Sequence, residues 1–307
     1  MDIYEKYKKI EDLPVVTLVK KPESNKNLKG VMHILHGMCE HKGRYADMTD
    51  FFCDNGFICV ISDMRGHGEN VEYPTELGYF GDDGANVLVE DVHAVNVFIH
   101  NVFPDLPVIM VAHSMGTITA RAFLKKYDRD VDFVFLSGAP GDSFFKYIAF
   151  LLTEMQALFF DDKEEARFIE YCMSYIFKRK YEKDGKNSYL CTDKDVVEKY
   201  SNDPKCDFTF TINGYNTLYR LFIKIYSKKG WKVKNGSLPV CFMAGSDDVY
   251  IKSEKRLKDE VFHLKKVGYE NVWAHVFDGL RHEIFNETKR MDVWNYMLDK
   301  LKKHKLF

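Results

Sequence analysis

The chain has 307 residues, of which 46% are apolar, and a formal net charge of −2. This length and composition allow one sizeable α/β core, and the near-neutral charge excludes the strong basic field typical of nucleic-acid-binding domains. The seven cysteines lack regular spacing, the N-terminal residues lack a signal-peptide pattern, and no apolar run reaches the roughly 18 residues of a membrane span. We therefore expect a cytoplasmic protein without a disulfide framework.

Strand and helix patterns alternate along the first part of the chain. An early pair of strands is predicted around Val15–Val19, and short apolar, β-branched runs predict four more strands at 31–35, 57–61, 108–112 and 133–136. Between them, apolar residues from Leu88 to Ile99 recur at helical spacing, and Thr117–Tyr127 reads as a second helix. This alternation favours a mostly parallel sheet covered by helices.

The alternation stops after Pro140 and resumes near residue 237. The intervening sequence is mostly helical and rich in aromatic residues. Beyond it, strands are predicted at 240–244 and 272–277, each followed by a helical pattern. The chain is therefore predicted to form one α/β core, residues 1–140 and 237–307, with a helical insertion, residues 141–236, after the sixth strand.

Ser114 is the strongest candidate for a catalytic nucleophile. It stands between a predicted strand and a predicted helix, with Ala112 and Gly116 two residues away on either side. Small residues at these places allow the sharp strand–turn–helix that exposes a nucleophilic hydroxyl, although Ala112 replaces the usual first glycine. The alternative is an ordinary turn in which Ser114 caps the helix.

A serine nucleophile needs a base and an acid that orients the base. In strand–turn–helix hydrolases, these follow the serine in the order acid, then histidine. Asp248 comes directly after the strand at 240–244, and His282 comes shortly after the strand at 272–277. Both are predicted at the same sheet edge as Ser114. Asp247 competes with Asp248, and spacing favours Asp248 only moderately.

The developing negative charge of the substrate needs two backbone N–H donors. The residue after the nucleophile, Met115, supplies one. The loop after the strand at 31–35 supplies the other, and Met38 is the best candidate there because Gly37 allows the backbone to turn.

Two other interpretations of the early loops are weaker. His33, His36 and His41 lack the ligand spacing of a zinc site, so no metal is predicted. Cys39 lies on a loop without the strand–turn–helix setting of a nucleophile. His67 is interpreted as a structural residue of a tight loop.

Several segments together carry a resemblance to a known family. They are residues 36–45, 63–68, 113–116, 192–204, 245–248 and 281–283. They resemble the monoacylglycerol lipase and bacterial lysophospholipase branch of the α/β-hydrolases, from about residue 14 to the last helix. In this sequence Cys39, Ala112 and Asn70 replace the glycine, glycine and serine usual in that branch.

The resemblance implies the α/β-hydrolase fold, with residues 141–236 as a helical cap over the site. It also implies Ser114, Asp248 and His282 as the catalytic set, with Met38 and Met115 as oxyanion donors. No cofactor is expected, and the oligomeric state stays open.

The substrate expected is a carboxylic ester, above all a single-acyl lipid such as a monoacylglycerol or a lysophospholipid. The alternatives are a small-ester carboxylesterase, an amino-terminal peptidase, or a catalytically silent ligand-binding homologue. Residues 144–160 are apolar around most of a helix. They predict an acyl-chain tunnel or a surface that touches a membrane, or else a helix buried between cap and core.

Overall fold

The computed structural model describes residues 7–23, 27–177, 179–251 and 253–307. These residues form one eight-stranded sheet in the order β1-β2-β4-β3-β5-β6-β7-β8. The strands are β1 (Tyr7–Ile10), β2 (Thr17–Lys20), β3 (Gly30–Leu35), β4 (Phe57–Ser62), β5 (Val108–His113), β6 (Phe133–Ser137), β7 (Val240–Gly245) and β8 (Val272–Phe277). The β1–β2 and β2–β4 pairs are antiparallel and the other pairs are parallel. The predicted mostly parallel sheet is confirmed.

The first strand lies outside the predicted range. The sequence placed an early pair of strands around residues 15–19, whereas β1 ends at Ile10 and only β2 overlaps that range. Strand β1 is short, contains two lysines and pairs on one side only, at the edge of the sheet. Such a strand lacks the apolar run that identifies the buried strands.

Helices cover both faces of the sheet. They are α1 (Ala46–Asp54), α2 (Gly84–Val102), α3 (Met115–Tyr127), α4 (Phe145–Ala157), α5 (Arg167–Phe177), α6 (Lys194–Asn202), α7 (Ile212–Tyr226), α8 (Glu254–Val267) and α9 (Arg290–Lys303). Apolar residues of α1 and α9 pack on one face, and those of α2, α3 and α8 pack on the other. Strands β3 to β7 are buried between these layers, which explains their nearly continuous apolar sequences.

Helices α4 to α7 occupy the stretch between β6 and β7. Helix α7 contacts α4, and it also packs against α2 and α3 of the core. Lys125 of α3 donates to the carbonyl oxygens of Lys224, Ser227 and Lys229 at the end of α7. The last helix of the insertion is therefore held directly on the core.

One face of helix α4 exposes apolar side chains. In α4, Lys146, Ala149 and Thr153 are buried, whereas Ile148 and Leu151 are exposed. The interpretation of residues 144–160 as a helix buried between cap and core is therefore wrong for the face that carries Ile148 and Leu151, which is exposed. Within the described ranges, no helix is long and apolar enough to cross a membrane. All seven cysteines, which lie in those ranges, are free thiols.

Candidate active site

Ser114 occupies a strained turn between β5 and α3. Its backbone has φ 49° and ψ −115°, in the left-handed half of conformational space that is rare for residues other than glycine. A Cβ at Gly116 would lie 2.6 Å from the carbonyl oxygen of His36, so only glycine fits there. Ala112, by contrast, is fully buried inside β5, where its methyl group is accommodated. Glycine is thus required on one side of Ser114 and not on the other.

Ser114, His282 and Asp248 form one hydrogen-bonded chain. The Oγ of Ser114 lies 2.9 Å from Nε2 of His282, and Nδ1 of His282 lies 2.9 Å from Oδ2 of Asp248. The three residues follow β5, β8 and β7, so the carboxyl edge of the parallel sheet brings them together. The geometry matches that of a serine nucleophile, its base and an orienting acid.

The environment of His282 favours its protonated form. Burial alone would lower the pKa of the imidazole, but the Asp248 carboxylate raises it above the usual value through charge and a hydrogen bond. Gly138 packs against the ring, where a Cβ would lie 2.9 Å from Cε1 of His282. The His282 ring is therefore held by Asp248 on one edge and confined by Gly138.

The two neighbouring aspartates differ in their surroundings. The Asp248 side chain is fully buried, and its second oxygen accepts from the backbone N–H of Tyr250 at 2.8 Å. The Asp247 side chain is 48% exposed and lies 3.6 Å from Nζ of Lys180. Of the two, only Asp248 contacts His282.

In the loop after β3, the backbone N–H groups on either side of Met38 donate hydrogen bonds within the protein. The N–H of Gly37 donates to Glu40, and that of Cys39 donates to Nε2 of His67. The N–H of Met115 belongs to the first turn of α3, where it has no acceptor within the helix. Met38, Met115 and Ser114 line the same cavity, as the oxyanion prediction requires.

The replacements at Cys39 and Asn70 have structural consequences. Cys39 has φ 55°, a conformation that glycine adopts without strain, and its thiol donates to the carbonyl oxygen of Phe208. Asn70 accepts from the N–H of Val16 and donates to the carbonyl oxygen of Asp63. Cys39 thus ties the loop after β3 to the insertion, and Asn70 holds the loop that follows β4.

The early histidines are structural. His36 and His67 are buried and each accepts from a backbone N–H, that of Met64 and that of Cys39. Burial lowers the pKa of His67 to about 3, so its ring is neutral at ordinary pH. His33 is buried in β3, where burial also lowers its pKa to about 3. The structural interpretation of His67 agrees with these contacts.

His41 belongs to a group of potential metal ligands. Its ring, the carboxylate of Asp203 and the thiol of Cys206 offer three ligand atoms within 4.8 Å of one another. The Nδ1 atom of His41 accepts from the N–H of Gly43, so the ring proton lies on Nε2 and donates to Asp203 at 2.9 Å. A metal at Nε2 needs the other tautomer, which loses the bond from Gly43. The arrangement is therefore a hydrogen-bonded His–Asp pair that links this loop to the insertion.

A cavity of about 1080 Å³ opens beside Ser114 and His282. Its walls come from the sheet edge and from the insertion, and they include Phe145, Phe208 and Phe222. A space of this size can hold a long acyl chain together with a small alcohol group.

Comparison with known proteins identifies the family. The family described as "Serine aminopeptidase, S33" matches residues 26–289. The chain belongs to this family. A monoacylglycerol lipase of Mycolicibacterium smegmatis is 24% identical over 264 residues, covering 85% of this chain and 84% of the relative. Phospholipase YtpA of Bacillus subtilis is 23% identical over 269 residues, covering 86% and 92%.

Solved structures show the same fold. A carboxyl esterase from Bacillus coagulans superposes with a TM-score of 0.86 at 24% identity, covering 97% of both chains. A soluble variant of the Saccharomyces cerevisiae monoglyceride lipase superposes with a TM-score of 0.71 at 18% identity, covering 97% and 94%. The predicted α/β-hydrolase fold and the resemblance to the monoacylglycerol lipase branch are both confirmed. The chain is thus a hydrolase-family protein with relatives named as lipases.

Sequence reasoning missed two functional neighbours of the site. Gly138, which packs on His282, follows β6, and no pattern in the sequence connects it to that histidine 144 positions later. Glu283 belongs to a family motif in the sequence, and its carboxylate binds Arg44 from the loop after β3. Such long-range contacts become visible only when the loops at the sheet edge are assembled.

Proposed function

We propose that this protein is a serine hydrolase that cleaves carboxylic esters of single-acyl lipids, monoacylglycerols or lysophospholipids, through an acyl-enzyme on Ser114. The observation that carries the proposal is the hydrogen-bonded chain from Ser114 through His282 to Asp248. The relatives named as a monoacylglycerol lipase and a phospholipase support the substrate class.

The proposed reaction begins when Nε2 of His282 accepts the proton of the Ser114 hydroxyl as its oxygen attacks the ester carbonyl. Asp248 stabilises the imidazolium, and the N–H groups of Met38 and Met115 donate to the carbonyl oxygen as it becomes negative. His282 then protonates the departing alcohol and leaves an acyl-Ser114 ester. Water activated by His282 releases the fatty acid and restores the serine.

We propose that residues 141–236 form a cap over the core of residues 1–140 and 237–307. Cap residues supply much of the cavity wall, including the aromatic rings that favour an acyl chain. The free cysteines fit the cytoplasmic location that we propose for this enzyme.

Acyl-chain length is the variable that tests the lipid substrate. We expect kcat/KM to rise with each methylene of a 1-monoacylglycerol or lysophosphatidylcholine series, because each buried methylene contributes roughly 0.8 kcal/mol, about fourfold in rate. Initial rates from two to sixteen carbons measure this slope, and the Ser114→Ala variant supplies the background. A flat or falling profile beyond about four carbons contradicts the lipid assignment and favours a small-ester carboxylesterase.

An amino-terminal peptidase is the second candidate, because the family is described as a serine aminopeptidase. Aminoacyl amides assayed beside the ester series separate the two candidates. Faster cleavage of an amide that carries a free amino terminus than of any ester supports the peptidase. If the protein cleaves neither esters nor amides and Ser114 is not labelled, the result supports a catalytically silent ligand-binding homologue.

We also propose that the cap touches a lipid surface. Its apolar side chains are highly exposed after α4, with Leu158 and Phe159 each 78% exposed. Residues 144–160 contain only two charged side chains, Lys146 and Glu154. Lys146 is buried, and Glu154 is paired with Arg220. An exposed apolar stretch with so little charge suits insertion into the boundary between headgroups and acyl chains.

The double substitution Leu158→Asp with Phe159→Asp is expected to abolish binding to neutral phosphatidylcholine vesicles in co-sedimentation. Hydrolysis of a short soluble ester should stay unchanged, because neither side chain lines the cavity. Phe262→Asp is the matched control, since Phe262 is 65% exposed on α8, outside the cap. Vesicle binding that the double variant retains, or that the control loses equally, rules out this surface as the membrane contact.

A further inference from the structure

A buried ion cluster joins two loops of the active site. The guanidinium of Arg44 donates to Glu40 at 2.8 Å and to both carboxylate oxygens of Glu283 at 2.6 Å. The side chains of these residues are 10%, 2% and 4% exposed. We call Arg44, Glu40 and Glu283 the Arg44 cluster. It connects positions 239 residues apart in the sequence.

Glu40 fixes the backbone of the predicted oxyanion loop. Its Oε1 atom accepts from the N–H of Gly37 at 2.5 Å and from the hydroxyl of Tyr45 at 3.0 Å. Gly37 directly precedes Met38, the predicted oxyanion donor. A Cβ at Gly37 would lie 2.7 Å from the same carboxylate oxygen, so the carboxylate and the glycine backbone are in close contact. A shift of Glu40 therefore shifts the peptide that leads into Met38.

Glu283 fixes the loop that carries His282, which it directly follows. Its backbone N–H donates to the carbonyl oxygen of Leu190 at 2.7 Å, and its carboxylate also accepts from Asn286 at 3.2 Å. Although burial would raise the pKa of Glu283, Arg44 lowers it to about 2. Glu283 is therefore ionised at any pH at which an esterase works.

The cluster contains two carboxylates and one guanidinium, so its net charge is negative when all three groups are ionised. Burial lowers the pKa of His282, whereas the charges of Asp248, Glu283 and Glu40 each raise it. The adjacent ring of His113 is neutral at ordinary pH, because burial lowers its pKa to about 4. Removal of one carboxylate from the cluster should therefore lower the pKa of His282.

Stability alone is a weak reason for such a cluster. Burying three charges requires their desolvation, and apolar replacements of buried ion pairs are often equally stable. A planar guanidinium that binds two carboxylates, however, fixes their relative positions and orientations. The arrangement is thus suited to geometric control of the two loops.

We propose that Arg44, Glu40 and Glu283 are positioning residues that hold the oxyanion loop and the His282 loop in register for the reaction. This inference rests on the proposed function of Ser114 and His282. None of the three side chains is assigned a step of the chemistry: they act through the backbone of Met38 and through the position and charge environment of His282.

Two conservative substitutions test the proposal. One is expected to shift the pH profile, and the other is expected to lower kcat without shifting it. Glu283→Gln keeps the size of the side chain but removes one negative charge near His282. The acid limb of the pH profile of kcat/KM reports the pKa of the base, His282, in the free enzyme. This limb should therefore move to lower pH in Glu283→Gln. Arg44→Lys keeps the charge but loses the two-pronged donor geometry. Its acid limb should stay in place while kcat falls about 10- to 100-fold, the effect expected from a displacement of roughly 1 Å.

The measurement is the pH dependence of kcat and KM on a short soluble ester, together with the rate of fluorophosphonate labelling. Asp91→Asn is the control, because Asp91 forms a similar two-bond pair with Arg65 outside the catalytic cavity. It should change neither the acid limb nor kcat. An unmoved acid limb in Glu283→Gln, or an unchanged kcat in Arg44→Lys with only a lower melting temperature, overturns the proposal.

Failure of the proposed function has a different signature. In that case the wild-type protein neither reacts with the fluorophosphonate nor cleaves any ester. The NMR titration of the His282 ring in the wild type and in Glu283→Gln then still measures the charge effect of the cluster. Equal pKa values in the two proteins reject the cluster's influence on the base, whether or not the protein is an esterase.

Discussion

Replacement of Ser114 by alanine is expected to lower kcat/KM on a lipid ester by a factor of roughly 10⁶, as loss of the nucleophile does in serine hydrolases. The reason is that the Ser114 hydroxyl lies 2.9 Å from Nε2 of His282, the proposed base. The same substitution should abolish covalent labelling by a fluorophosphonate. Intact-protein mass spectrometry measures the adduct, and peptide mapping locates it.

Ser143→Ala is the control for this experiment, because Ser143 also lines the cavity but contacts neither His282 nor Asp248. Labelling of the control should match that of the wild type. An adduct that persists in Ser114→Ala means that another side chain is the nucleophile. A wild-type protein that is folded but never labelled means that the catalytically silent homologue is the correct description.

The core of the fold is predictable because buried parallel strands and amphipathic helices follow simple patterns. The apolar runs at β3, β4 and β5 lie between two helical layers, so their sequences carry no competing polar requirement. The position of strand β1 could not be predicted in this way, because an edge strand that includes Lys8 and Lys9 has no apolar run. The exposed apolar face of α4 was equally ambiguous, since a helix that is apolar on most sides fits burial and a lipid surface equally well.

The Ser114–His282–Asp248 chain was predictable because β5, β7 and β8 each end one or a few residues before a polar side chain at a single sheet edge. The choice between Asp247 and Asp248 was not, because both follow β7 and their spacing differs by one residue. The structure distinguishes the two by their surroundings, since the turn directs Asp248 inward to His282 and leaves Asp247 facing Lys180.

The Arg44 cluster was beyond sequence reasoning for a related reason. Glu40 and Arg44 are four residues apart and suggest a local ion pair, whereas Glu283 stands next to the predicted base and suggests only a motif residue. Their meeting depends on the parallel order β4-β3-β5-β6-β7-β8, which brings the loops after β3 and β8 to one end of the sheet. Charge pairs of this kind are determined by topology and carry no periodic pattern.

Substitution of Asp248 by asparagine is expected to lower kcat by about 10⁴, whereas Asp247→Asn should stay within about twofold of the wild type. Asparagine keeps the size of Asp248 but removes the charge that stabilises the His282 imidazolium, and it can present an N–H₂ group to Nδ1 and so favour the wrong tautomer. Because Asp248 raises the pKa of His282, the remaining activity of Asp248→Asn should show an acid limb at lower pH.

Asp247→Asn removes only an exposed charge 3.6 Å from Lys180, so it serves as the matched control. The pH dependence of kcat and kcat/KM for both variants measures these effects. A larger loss in Asp247→Asn than in Asp248→Asn reverses the assignment, and equal small losses mean that His282 works without an orienting carboxylate.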